Sequence, residues 1–113
     1  MTSPINIKPI GHDQFEGLTN HSHLPRYYGG EIMAQAALAC GQSVENDFVL
    51  HSLNCTFLKE GATDRPLIHQ VIRLKEAKRF SVRQVNVMQD DCLVCTLILS
   101  YQLPEKGPEH QMP

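Results

Sequence analysis

Tyr28-Gly29-Gly30-Glu31-Ile32-Met33-Ala34-Gln35-Ala36-Ala37-Leu38-Ala39-Cys40-Gly41-Gln42-Ser43 is the stretch on which the fold of this chain turns. Alanine, methionine, leucine and glutamine are good helix formers, and they fill it from Gly30 or Glu31 to about Ser43. Ile32, Met33, Ala36, Ala37 and Cys40 recur at three- and four-residue spacing and make one apolar stripe. Leu38 and Ala39 widen that stripe, which predicts a largely buried helix. Ala34, Ala36, Ala37 and Ala39 keep it slim, so a sheet can approach it closely. Gly41 weakens the last turn, and Asn46-Asp47 ends the excursion.

On the C-terminal side the period changes from helical to extended. Residues 48–58 are rich in strand formers, and Gly61 and Pro66 punctuate the turn that follows. Residues 67–74 alternate, with His69, Val71 and Arg73 on one face. Residues 79–89 alternate through Phe80 and Val82 and then shift phase to Val85 and Val87, which predicts a β-bulge in that strand; Phe80 reads as core. Gln89-Asp90-Asp91 reads as a hairpin turn, and residues 92–102 as a final strand. On the N-terminal side, residues 14–18 read as a short strand and residues 19–25 as a loop. Residues 1–13, with Pro4, Pro9 and Gly11 as breakers, read as irregular. From Pro104 onward the composition is that of a tail or linker. Tight turns between strands demand antiparallel pairing, and one alanine-rich helix must cover one face of the resulting sheet. The expectation is therefore α+β: an antiparallel sheet wrapped around one long central helix, the hot-dog fold, over residues 14–102, flanked by an irregular segment 1–13 and a tail 103–113.

Bulk properties narrow the function. The net charge of −2 carries no basic stripe, which argues against nucleic acid and anionic lipid as partners. No apolar run approaches the length of a membrane span, and the N-terminus lacks the apolar core of a signal peptide. His110-Gln111-Met112-Pro113 is not a peroxisomal address, so the default expectation is cytoplasmic. Without a secretory signal, Cys40, Cys55, Cys92 and Cys95 read as free thiols. Cys92 and Cys95, three apart on a strand, point to opposite faces and do not suit a metal. His21-Ser22-His23 has no third ligand at fixed spacing, and neither a metal nor a cofactor is expected. At 113 residues the chain buries a modest share of its surface, which favours a partner subunit.

Several segments resemble one known family. Tyr28-Gly29-Gly30-Glu31-Ile32-Met33-Ala34-Gln35-Ala36 is similar to the F-G-G-Q-(V/I)-x-x-Q-A stretch of the acyl-CoA thioesterase II family. Leu50-His51-Ser52-Leu53-Asn54-Cys55-Thr56-Phe57-Leu58-Lys59-Glu60-Gly61 resembles its H-S-x-H-x-x-F-x-x-x-G-D, and Pro66-Leu67-Ile68 follows at the expected place. Arg79-Phe80-Ser81-Val82-Arg83-Gln84-Val85 resembles (R/S)-x-F-S-x-R-x-V, and residues 93–102 resemble the strand after it. The resemblance spans roughly residues 15–102, and Glu31, Asn54 and Asp64 depart from the family pattern. Members of that family carry two hot-dog domains in tandem, and this chain resembles the first and the start of the linker. The family's catalytic Asp, Ser or Thr, and Gln lie in the second domain, so no catalytic residue is carried over.

The resemblance implies hydrolysis of fatty acyl-CoA to free acid and coenzyme A by direct water attack, in fatty-acid metabolism. It also implies pairing with a second hot-dog, either another copy or a different chain. In hot-dog enzymes the first-turn amides of the central helix face the thioester. Those amides lack helical partners, and the helix dipole there favours developing negative charge. Gly29 and Gly30 stand at that point. Glu31 is the candidate base on water and Gln35, one turn on, a second candidate catalytic residue. Against this stand plainer readings: Glu31 offsetting the dipole, Gly29-Gly30 allowing a tight turn, and Gln35 as a buried polar contact. Gly29, Gly30, His51, Arg79 and Arg83 are the candidate substrate-binding residues. Arg79 and Arg83, four apart on a strand, would share a face and meet coenzyme A phosphates, or else be solvated surface charge. His51 reads as a core or interface residue, and it points away from Ser52, which excludes a nucleophile–base pair. The rival to an enzyme is a non-catalytic hot-dog that binds acyl-CoA or scaffolds a partner. A dehydratase-type hot-dog is the weaker third reading, because the His or Asp helix motif it needs is absent.

Overall fold

The computed structural model describes residues 6–18, 26–27 and 29–104. Tyr28, the His21-Ser22-His23 pair and the tail from residue 105 lie outside them. The elements run β1 (Asn6–Gly11), β2 (Gln14–Leu18), α1 (Gly29–Gly41), β3 (Val49–Phe57), β4 (Leu67–Glu76), β5 (Phe80–Gln89) and β6 (Cys92–Gln102). The strands form one six-stranded antiparallel sheet in the order β1-β2-β4-β5-β6-β3. α1 lies on its inner face, giving the α+β arrangement expected.

At 13 residues the helix is not long, and it lies nearer the N-terminus than its sequence suggests, starting at Gly29 and ending at Gly41. Gln42, Ser43 and Val44 turn off it through N–H bonds to the carbonyls of Ala39, Cys40 and Gly41, the three-residue spacing that tightens a last turn. Its buried face is Glu31, Ile32, Gln35, Ala36, Ala39 and Cys40. The apolar stripe read from sequence is thus rotated: Met33 and Ala37 are half-buried and Leu38 is exposed, while Glu31 and Gln35 face the core. Ala36 and Ala39 are wholly buried, which lets the helix sit close to the sheet.

Residues 1–13 are not irregular throughout, because β1 pairs with β2 across Asn6–Gly11. Pro9 is compatible with that strand because β1 is a sheet edge, where a missing N–H costs no ladder bond. The β1–β2 turn places Asp13 at φ 56°, a left-handed conformation that a short polar side chain tolerates. Asp13 accepts from Arg73 at 2.8 and 3.1 Å, and this pairing lowers its carboxyl pKa.

The bulge expected within residues 79–89 is not in that strand; the extra residues lie in its neighbours, in β4 and, opposite Val87 and Met88, in β6. β5 alternates without a break, burying Ser81, Arg83, Val85, Val87 and Gln89. The irregularity lies in β4 between Arg73 and Lys75, opposite Arg83 and Val82. The apparent phase shift arose because polar Ser81 and Arg83 occupy inward positions, while Phe80 and Val82 face outward. Phe80 is therefore not core and is 42% exposed. The β5–β6 hairpin turns through Asp90 and Asp91, both at positive φ, as a two-residue type I′ turn requires. On the inner face, rows such as Phe15–His69–Val87–Cys95 and Val71–Val85–Leu97 run across the sheet beneath the helix. Among the described residues no helix is long and apolar enough to cross a membrane.

Candidate functional site

The two ends of α1 make different environments. At its start, Tyr27, Gly29 and Ile32 on one side and Phe57, Leu58 and Gly61 on the other enclose an open pocket of about 430 Å³, completed by exposed Lys59 and Glu60. That volume lies within the range of small-molecule sites. Ile32, Phe57 and Leu58 give the lining its apolar part, and β3 ends here: past Phe57 the chain leaves the ladder, and the Leu58 and Lys59 amides donate to the Val94 carbonyl at 2.8 and 3.0 Å. The Phe57 ring lies over Gly29, where a Cβ would meet its Cζ at 3.0 Å, so only glycine fits without moving the ring.

The loop after Gly61 is held by side chains. Tyr27 donates its backbone N–H to the Gly61 carbonyl at 2.8 Å and its hydroxyl to the Arg65 carbonyl at 3.2 Å. Gln89, buried at the end of β5, accepts from the Ala62 N–H at 2.9 Å and donates to the carbonyls of Ala62 at 2.8 Å and Arg65 at 3.2 Å.

One turn into the helix the core is polar. Gln35 is wholly buried, donates to the Leu18 carbonyl at 3.2 Å and meets His69 Nε2 with its Oε1 at 2.9 Å. An amide oxygen only accepts, so His69 carries its proton on Nε2. Its Nδ1 has no hydrogen-bond partner among the described residues, and burial pushes its pKa down to about 4. Gly17 makes room for the pair, since a Cβ there would overlap the Gln35 amide.

At the far end of α1, Arg83 is 1% exposed. It donates to Ser43 Oγ at 2.8 Å, the Ser43 carbonyl at 2.9 Å and Glu76 at 2.5 Å, with longer bonds to the carbonyls of Lys75 and Val82. Ser43 in turn donates to the Cys40 carbonyl at 2.7 Å. The guanidinium ties the helix end to β4 and β5.

The structure therefore separates the residues singled out from sequence. Gly29 lines the pocket and Gly30 is exposed beside it. Glu31 is buried on the helix's core face and is not among the described lining residues; Ile32 takes that place. Gln35 points to His69. His51 is not core: it is exposed on the edge strand β3, the extra residue where the register with β6 shifts. Arg79 and Arg83 do not act as a pair. Arg79 is exposed beside Asp47, Leu103 and Pro104, whereas Arg83 is buried and fully engaged, about 20 Å of helix away from Gly29. Residues that sequence reasoning passed over are Tyr27, Phe57, Leu58, His69 and Gln89. Phe57 and Gly61 stood in a quoted motif, but nothing local marks a strand end as a pocket wall. His69 shares the inward parity of Val71, which was its only signal.

A family model described as the acyl-CoA thioesterase N-terminal domain matches residues 20–102. The chain is 34% identical over 114 residues to human acyl-coenzyme A thioesterase 8, covering 98% of this chain and 35% of that protein. It is 36% identical over 107 residues to acyl-CoA thioesterase 2 of Haemophilus influenzae, covering 95% and 37% respectively. It thus spans about a third of the length of these relatives. Among solved structures it is similar to a tesB protein of Mycobacterium avium subspecies paratuberculosis, with TM-score 0.80 and 27% identity over 90% of this chain and 41% of that one. The phenylacetic acid degradation protein PaaI of Thermus thermophilus, at 14% identity and TM-score 0.74 over 87% and 91%, shares the hot-dog fold.

Proposed function

This chain belongs to the acyl-CoA thioesterase N-terminal domain family, and from that premise we propose that it binds the acyl chain and thioester of a fatty acyl-CoA and takes part in its hydrolysis. The apolar pocket at the start of α1 carries this reading. A pocket lined by Ile32, Phe57 and Leu58 takes a hydrocarbon tail, and the first-turn amides beside Gly29 and Gly30 are placed to polarise a carbonyl oxygen. Water then attacks the thioester carbon, the C–S bond breaks, and coenzyme A leaves as the thiol. Glu31 is the carboxylate nearest in sequence to those amides, but its side chain lies on the core face, so it serves as the base only by turning out. Gln35 would have to leave Leu18 and His69 to touch substrate.

The partner is a second hot-dog, docked at the β3 edge. The other edge, β1, is blunted by Lys8 and Pro9, whereas β3 has neither, exposes Val49 and Leu50 at its start and ends with exposed Phe57 at the pocket. The rival reading, a non-catalytic acyl-CoA-binding half, is favoured by one observation: Glu31 faces away from the pocket.

The test is thiol release from a series of acyl-CoAs by the purified chain, alone and with Glu31→Gln. Turnover abolished by Glu31→Gln supports the enzyme with that base. Unchanged turnover keeps the enzyme and removes Glu31. No turnover at any chain length, with acyl-CoA still bound, leaves the binding half.

A further inference from the structure

We infer that Gln89 is a positioning residue, which sets the depth of the apolar pocket and hence the acyl-chain length accepted by holding the loop that forms its far wall. The inference rests on the proposed acyl-binding role of that pocket.

Gln89 is 7% exposed and ends β5. Its amide has one acceptor and two donors, and all three are spent on one loop: Ala62 N–H in, Ala62 and Arg65 carbonyls out. This loop has no strand ladder of its own beyond a single bridge between Arg26 and Ala62. Gln89 holds it from below and Tyr27 from the side, both reaching the Arg65 carbonyl, while the exposed Arg65–Asp90 and Arg26–Glu60 pairs tie its rim. Gly61, next to the clamped Ala62, is the pocket wall. Space there is tight, as a Cβ on Gly61 would meet Leu67 Cδ2 at 3.3 Å and Tyr27 Cδ2 at 3.4 Å. Opening the clamp frees this wall to move outward, and the pocket gains room. Gln89 itself touches no ligand, so loss of its amide changes which chains fit and not the site's chemistry.

The test is the affinity of octanoate, dodecanoate and palmitate, read by displacement of a fluorescent anilinonaphthalene sulfonate from the full chain. Gln89→Met keeps the side-chain volume and removes every clamp bond. Tyr27→Phe keeps the ring in the pocket and removes one. The decisive quantity is the palmitate-to-octanoate affinity ratio, which a general loss of stability does not move. Gln89→Met is expected to raise it about tenfold, the order for two methylenes gaining a place to bury. Tyr27→Phe shifts it the same way by less, and decides the matter if Gln89→Met does not fold. An unchanged ratio overturns the inference. Wild-type protein that binds the acids but hydrolyses none of the corresponding acyl-CoAs leaves Gln89 in this role and removes the enzymatic reading. Wild-type protein that hydrolyses them with a length profile indifferent to Gln89→Met does the reverse.

Discussion

The two ends of helix α1 solve opposite problems. At the C-terminal end polar groups converge: Arg83, Ser43 and Glu76 form a hydrogen-bonded clasp, and the guanidinium is buried. At the N-terminal end the chain leaves a cavity, lines it with Ile32, Phe57 and Leu58, and keeps glycine where a side chain would fill it. One end holds the helix to the sheet and the other leaves an open pocket. Stability and binding are thus separated along about 20 Å of one helix, with the Gln35–His69 pair between them.

That contrast can be broken most strongly at the clasp. Arg83→Ala removes a wholly buried side chain, leaves a cavity and takes the partner from buried Ser43, at a cost of about 3 kcal/mol. Chemical unfolding should show it, and Arg83→Lys should recover little, since an ammonium cannot reproduce the fork of bonds. A loss below about 1 kcal/mol would mean that the clasp does not hold the helix.

The middle of the helix responds to pH. The folded pKa of His69, about 4, lies below its ordinary 6.5, so the unfolded chain binds the proton first. Its contribution is fully present above pH 6.5 and is lost as pH falls towards 4, up to about 3 kcal/mol over that window. Urea midpoints for wild type and His69→Gln between pH 7.5 and 4.5 check the sign: the wild-type slope should flatten in the variant. The Asp13–Arg73 pair acts in a separate window, losing its contribution only as pH falls below the ordinary carboxylate range.

At the open end the expected stability effect is smallest. Phe57 is 46% exposed, so Phe57→Ala should cost under about 1 kcal/mol while uncovering Gly29 and weakening retention of a fatty acid in the pocket. A large fall in stability would make that end structural after all.

The same contrast explains what could be read in advance. Helix, hairpins and strand order follow from period and punctuation, which are local properties: the alanine-rich run, the Asp90-Asp91 turn, the alternation of residues 67–74. β1 was hidden by Pro9, because whether a proline interrupts a sheet depends on whether its strand is an edge. Gly29 was legible as a helix start because the backbone amides there do not depend on side-chain packing. The direction in which Glu31, Arg83 and His51 face was not legible.

By itself the amino-acid sequence determined an antiparallel α+β domain, its slim helix and its family. Only the tertiary structure decided that Arg83 is a clasp, that Gln35 answers His69, that Phe57 and Gly61 line a pocket, and that Gln89 holds the loop after Gly61. The physical reason is that periodicity reports which residues share a face. A site is made where faces from distant segments meet, and Gln89 and Ala62, 27 residues apart, become partners only once the sheet has closed.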